Sequence, residues 1–173
     1  MAVLPIIVAP DPRLKIKARP VDAVDADVRK LMDDMLDSMY AANGIGLAAP
    51  QVGDARRVIV VDVSRDTDAR KPMFLANPQI IGMAPEDRPH EEGCLSLPEH
   101  YAEVIRPDWV RVRYLDRDNE IREINAEGIL STCIQHEIDH LDGVLFVDHV
   151  SALKRNMILR KLQKAKKLAQ TSA

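Results

Sequence analysis

The sequence predicts an α+β fold, with mixed or antiparallel strands packed around a central helix and a further helix near each end. Three observations carry that expectation. Apolar residues recur with helical period at 28–40, at 127–141 and from 151 onward. β-branched and alternating segments are confined to the middle of the chain. No internal repeat divides it, and its 173 residues fit one domain spanning 1–173.

The first 22 residues hold Pro5, Pro10, Pro12 and Pro20 and read as an extended arm with turns. In the first helix Val28, Leu31, Met32, Met35, Leu36, Met39 and Tyr40 share a face, with Asp33, Asp34 and Asp37 between them. Asn43-Gly44 is its expected stop. Residues 44–51, with two glycines and a proline, suit neither a helix nor an alternating strand. A strand is expected at 57–63, a polar loop at 66–71, and a second strand at 73–81, interrupted by Asn77-Pro78. The stretch 85–92 is charged and reads as turn-rich. Residues 109–115 and 120–126 alternate around Asp116-Arg117-Asp118-Asn119, the pattern of a hairpin. A helix over 127–141 closes at Gly143. The last starts at the N-cap residue Ser151 and runs to 169, with Leu153, Met157, Leu162, Ala165 and Leu168 on one face.

Composition narrows the function. Apolar residues make up 46% of the chain but aromatics only 3%, so the core is built from Ile, Val, Leu, Met and Ala. A net charge of −3 argues against a general nucleic-acid binder. No apolar run is long enough for a membrane span, and the first residues lack a signal-peptide pattern. Two cysteines make no disulfide framework, so a cytoplasmic protein with reduced thiols is expected.

The strongest chemical signal is His136-Glu137-Ile138-Asp139-His140. On a helix, positions i and i+4 lie one above the other, so both imidazoles can share one metal ion. Glu137, beside the first ligand, is placed to take a proton from water polarised by that metal. Ile129, Cys133, His136 and His140 fall in one narrow stripe at about 100° per residue, which turns the histidines along the apolar face. A buried histidine needs a partner, and a metal serves as one. Catalytic sites of this kind hold a third protein ligand. His149 lies downstream, but the break at Gly143 leaves its direction open. Cys94 offers a soft thiolate beside Gly93; the competing reading is a small buried hydrophobe, the reading given to Cys133.

Three segments, Gly44-Ile45-Gly46-Leu47-Ala48-Ala49-Pro50-Gln51, Glu92-Gly93-Cys94-Leu95-Ser96 and Gln135-His136-Glu137-Ile138-Asp139-His140, resemble the signature motifs of the peptide deformylase family. They occur in the family's order and separations, and the similarity covers nearly the whole chain. The terminal helix is similar to that of the deformylases typical of Gram-negative bacteria. The resemblance implies that Cys94, His136 and His140 hold one divalent metal, with water in the fourth position. Fe(II) is the family's native ion, and Zn, Ni or Co can occupy the same ligands. It further implies Glu137 as general base and then acid, with Gln51 and the Leu95 N–H as donors to the oxyanion. The substrate would be the N-formyl group on the initiator methionine of a new polypeptide, and the products formate and a free amine.

Ile45, Ile129 and Cys133 match the family's methionine-pocket positions, and Gly44, Gly46 and Gly93 would let backbone approach the substrate. Thr132 stands where relatives often carry an apolar residue, Tyr101 where some carry Arg, and Asn43 where many carry Glu. Glu92 reads either as a hydrogen-bonding group near the site or as a solvated loop carboxylate. Asp139 reads as an ion-pair partner or as a group orienting a neighbour.

Two other functions fit the same residues less fully. A zincin-like metallopeptidase would draw its third ligand from downstream, as Glu or His. A binding module with a structural zinc would need a fourth protein ligand, such as His149 or Cys133. Finally, residues from Lys154 onward include seven Lys/Arg and no Asp/Glu. They read as a solvated face or, for an enzyme of nascent chains, as a surface for ribosomal RNA. A monomer without membrane partners is expected.

Overall fold

The computed structural model describes residues 2–64 and 69–171, so residues 66–68 of the expected polar loop lie outside the described residues. Helix α1 (Ala26–Ala41) is N-capped by Asp25, whose carboxylate accepts the Val28 N–H at 2.9 Å. It buries Val28, Leu31, Met32, Met35 and Met39 and ends where expected. Asn43 takes φ 57°, while Asn43 N–H donates to Tyr40 O and Gly44 N–H to Met39 O. That paired closure is a Schellman motif with Asn in the left-handed position.

A five-stranded antiparallel sheet follows, in the order β1 (Gly46–Ala48), β2 (Val58–Val61), β3 (Met73–Met83), β6 (Trp109–Leu115) and β7 (Ile121–Glu127). The α+β expectation is met. β2 is buried along its length because both faces are covered: Val58 and Val60 pack with α1, Ile59 and Val61 with α2 (Gly128–Leu141). The interruption foreseen at Asn77-Pro78 is a register shift within β3 rather than a break. Pro78 donates no ladder bond, and the Asn77 side chain exchanges two 2.8 Å hydrogen bonds with the Val21 backbone.

The stretch 85–92 is not a run of turns. Most of it lies in β4 (Asp87–Cys94), which pairs antiparallel with β5 (Leu97–Pro107) as a separate two-stranded sheet. Its polar sequence reflects a solvent-facing edge and an inner face that carries site chemistry. This hairpin packs through Leu97, Ala102 and Val104 on Phe146, Val147, Ile158 and Leu162.

Helix α3 (Ala152–Thr171) starts as expected, with Ser151 Oγ accepting the Lys154 N–H at 3.2 Å. Its buried anchors are Ile158 and Leu162, however, and Leu153, Met157 and Leu168 are exposed. Of the expected face only Leu162 is buried, so the packed stripe, Ile158 and Leu162 with Leu159 partly buried beside them, is rotated from the expected one. No helix among the described residues is long and apolar enough to cross a membrane.

Candidate active site

Helix α2 runs across the sheet and ends in the same closure as α1, with Gly143 at φ 75° and Val144 N–H donating to Asp139 O. Its histidines are both buried, their rings 5.0 Å apart. Cys94 reaches them from the hairpin. Between Gly93 and Cys94 the β4–β5 register shifts, from Gly93↔Tyr101 to Cys94↔Leu97; such an irregularity re-aims a side chain. The Cys94 Sγ lies 3.2 Å from His140 Nε2, and the three ligand atoms of Cys94, His136 and His140 all lie within 4.8 Å of one another.

These residues fit a metal ion. Bonds of about 2.0–2.3 Å to one centre span that spacing, and thiolate with two imidazoles suits Zn or Fe(II). His136 spends Nδ1 on Glu92 Oε1 at 2.9 Å, leaving Nε2 for the shared centre. Burial opposes a charge on His136, but Cys94, Glu137 and Glu92 outweigh it and raise its pKa well above the ordinary value. A local field of that sign favours a cation. Burial and the neighbouring His136 hold His140 well below the usual range, and a neutral ring is the form that ligates. Among the described residues the cluster does not include Cys133 or His149. Burial pushes the Cys133 thiol up, and His149 is engaged by Asp139 at 2.8 Å. The metallopeptidase expectation of a downstream third ligand does not hold, nor does the four-ligand arrangement of a structural zinc.

Glu137 is 3% exposed, and its Oε1 has no hydrogen-bond partner among the described residues. Burial pushes its carboxyl up to about 7, against the lowering influence of His136. Gly46 makes room for it: a Cβ there would stand 2.6 Å from Glu137 Oε2 and 2.7 Å from Cys133 Sγ. Gly44 and Gly93 likewise accommodate the side chains of Leu95 and Tyr101. The sequence suggested that these glycines let backbone approach a substrate; in the fold each also packs closely against a neighbouring side chain. All three still line the cavity described below.

Gln51 sits in a short 3₁₀ turn, Ala49–Val52, and is buried. Its Oε1 accepts the Ala48 N–H at 2.9 Å, while Nε2 donates to Ser96 Oγ at 3.0 Å and faces Cys94 Sγ at 3.6 Å. Leu95 follows Cys94 in the turn between β4 and β5. A cavity of about 460 Å³ opens over Cys94, His136 and Glu137, within the size range of small-ligand sites. Ile45 and Ile129 supply exposed apolar surface at its rim, and Gln51, Leu95, Tyr101, Thr132 and Cys133 also line it.

Glu92 is buried, not solvated. Arg106 donates to both its oxygens, Nε to Oε2 at 2.6 Å and Nη2 to Oε1 at 3.0 Å. Burial alone would raise this carboxyl, but His136 and Arg106 hold it at about 2. Asp139 is an ion-pair partner, accepting from Arg106 Nη1 at 2.8 Å. Sequence reasoning missed Arg106 and Ser96. The signal for Arg106 was its place in register with Ala102 and Val104 on an alternating strand: a buried guanidinium demands a carboxylate.

The family model described as Polypeptide deformylase matches residues 3–156. The chain is 59% identical to the peptide deformylase of Methylocella silvestris, over 97% of this chain and 87% of that protein. Its fold is similar to the crystal structure of a peptide deformylase from Ehrlichia chaffeensis, with TM-score 0.93 and 36% identity, covering 98% of this chain and 99% of that one. A peptide deformylase from Legionella pneumophila gives TM-score 0.90 and 44% identity, covering 98% of each chain. Agreement of this extent, in sequence and in fold, leaves one assignment: the chain belongs to the polypeptide deformylase family.

Proposed function

We propose that this protein is a metal-dependent hydrolase that removes the N-formyl group from the initiator methionine of new polypeptides, releasing formate. The observation that carries the reading is the convergence of Cys94, His136 and His140 beside a buried carboxylate oxygen of Glu137 that has no hydrogen-bond partner among the described residues. A divalent ion held by those three residues, Fe(II) in the cell with Zn, Ni or Co as substitutes, supplies a Lewis acid that lowers the pKa of water to about 7. Glu137 takes the proton from the attacking water and delivers it to the leaving nitrogen, so that formamide and water become formate and amine. Gln51 Nε2 and the Leu95 N–H donate to the formyl oxygen as it gains charge. Ile45, Ile129 and Cys133 receive the methionine side chain, and Gly44, Gly46 and Gly93 bring backbone to the cavity wall. Residues 1–173 act as one catalytic unit, monomeric and cytoplasmic.

The test is formate release from formyl-Met peptides by anaerobically purified protein, together with metal analysis. Stoichiometric metal and turnover support the reading; no turnover by metal-loaded protein overturns it. Gln51→Leu keeps side-chain size but removes both the donor and the contact to Ser96. It should lower kcat by about 10²–10³, the usual cost of one oxyanion donor.

Helix α3 supports a ribosome contact. Lys154, Arg160, Lys161, Lys164, Lys166 and Lys167 are exposed on it, and the family match ends at residue 156. Reversing Lys154, Lys161 and Lys164 to Glu leaves the anchors Ile158 and Leu162 in place. It should abolish salt-sensitive co-pelleting with ribosomes while formyl-Met-Ala turnover stays intact. Equal pelleting by both proteins would rule the helix out.

A further inference from the structure

We infer that Arg106 and Asp139, extended to the surface by His149, are positioning residues that clamp Glu92 against His136 and so fix which nitrogen that histidine turns to the metal; the inference rests on the metal-site reading above. A continuous chain of polar contacts leads from solvent to the site. His149 Nε2 lies 2.8 Å from Asp139 Oδ2, and Arg106 Nη1 donates to the same oxygen at 2.8 Å. Arg106 Nε and Nη2 fork onto Glu92, whose Oε1 also accepts from His136 Nδ1 at 2.9 Å. Arg106 and Glu92 are buried, and the side chains of Asp139 and His149 are 24% and 36% exposed.

The geometry explains why each link is needed. Glu92 Oε1 serves two donors at once, so its rotation would release His136. The bidentate fork from Arg106 prevents that rotation, as a lysine ammonium cannot. Asp139 holds the third nitrogen of the guanidinium and keeps the fork in plane, and His149 fixes Asp139 from outside. The ligand's far nitrogen is the end of the chain. An ion pair serving fold stability alone would not need to end there.

The experiment uses the full chain loaded with Co(II), comparing wild type with Glu92→Gln, Arg106→Lys, Asp139→Asn and His149→Gln. The readouts are the Co(II) visible band, the rate of metal loss to a chelator, and kcat and KM for formate release. Outer-shell partners of a ligating histidine are worth about 10–100-fold in metal affinity or activity. Glu92→Gln and Arg106→Lys should therefore shift the band and retain metal about 10–100-fold less well. Asp139→Asn should fall near the low end of that range and His149→Gln below it. In the Arg106, Asp139 and His149 variants kcat should fall with KM unchanged, because those three side chains, unlike Glu92, do not line the cavity. Asp139→Asn decides the matter if Arg106→Lys fails to fold, since its site is partly solvated. An unaltered band and metal-loss rate in Asp139→Asn, even with lowered Tm, would reduce the chain to a structural ion-pair network and overturn the inference. Failure of wild type to bind Co(II) would instead bring down the metal-site reading, and this inference with it.

Discussion

Glu137→Gln is expected to lower formate release by about 10²–10⁴, the range for one positioned acid–base group, while metal content stays at the wild-type level. Glutamine has the shape of glutamate, so Gly46 still accommodates it, but it cannot exchange a proton with water and the leaving amine. Glu137 stands outside the cluster of ligand atoms, so ligation by Cys94, His136 and His140 should persist. Stability supplies a second signature. In the metal-free protein this carboxyl is raised from 4.5 to about 7 by burial, a cost of roughly 3 kcal/mol for the ionised form. A raised carboxyl pKa means that the folded state holds a proton which the unfolded state has lost. Relative to the variant, wild-type stability should therefore fall as pH rises from 4.5 to about 7, and taking the difference between the two proteins removes the opposite contribution of His140, which both share. Denaturant midpoints of chelated protein at both ends of that window measure it. Loss of metal together with activity would overturn the assignment of Glu137 to proton transfer.

Legibility in the sequence followed the strength of local patterning. The paired histidines were visible because helical geometry alone places i and i+4 side by side. α1 was visible through its methionine-rich stripe, as was the β6–β7 hairpin through its alternation. The β4–β5 hairpin was hidden for a physical reason. On β5 the outward positions include Tyr101 and Ile105, and the inward ones include Arg106. On β4 the inward carboxylate of Glu92 looks like a surface charge. The inner face of this hairpin carries the groups that hold His136, so its hydrophobic pattern is inverted just where it serves the site. Cys94 stood on stronger ground by resemblance than by chemistry, since no local rule reveals a register shift that turns a thiol toward a helix that begins only at Gly128. The rotation of α3 was equally invisible, because this helix carries apolar residues on more than one face and the pattern alone does not say which of them meets the body.

Cys94→Ser is expected to have the other large effect, stripping the purified protein of nearly all its metal and of formate release in proportion. A serine hydroxyl remains protonated at neutral pH and is a hard, weak ligand where the thiolate is soft and charged. The loss must exceed the roughly 10–100-fold attached to groups that only support a ligand, because here one of three contacts is itself removed. The fold should survive. Cys94 forms no disulfide and is only partly buried, and a hydroxyl replaces sulfur at a turn whose backbone needs neither. Stability measured by denaturant should change by less than about 1 kcal/mol once metal is removed from both proteins. Elemental analysis after gel filtration, beside circular dichroism, separates the two quantities. A folded Cys94→Ser protein with full metal and undiminished turnover would mean that the hairpin thiol is not a ligand. The approach of Cys94 Sγ to His140 Nε2 would then be a hydrogen bond and nothing more.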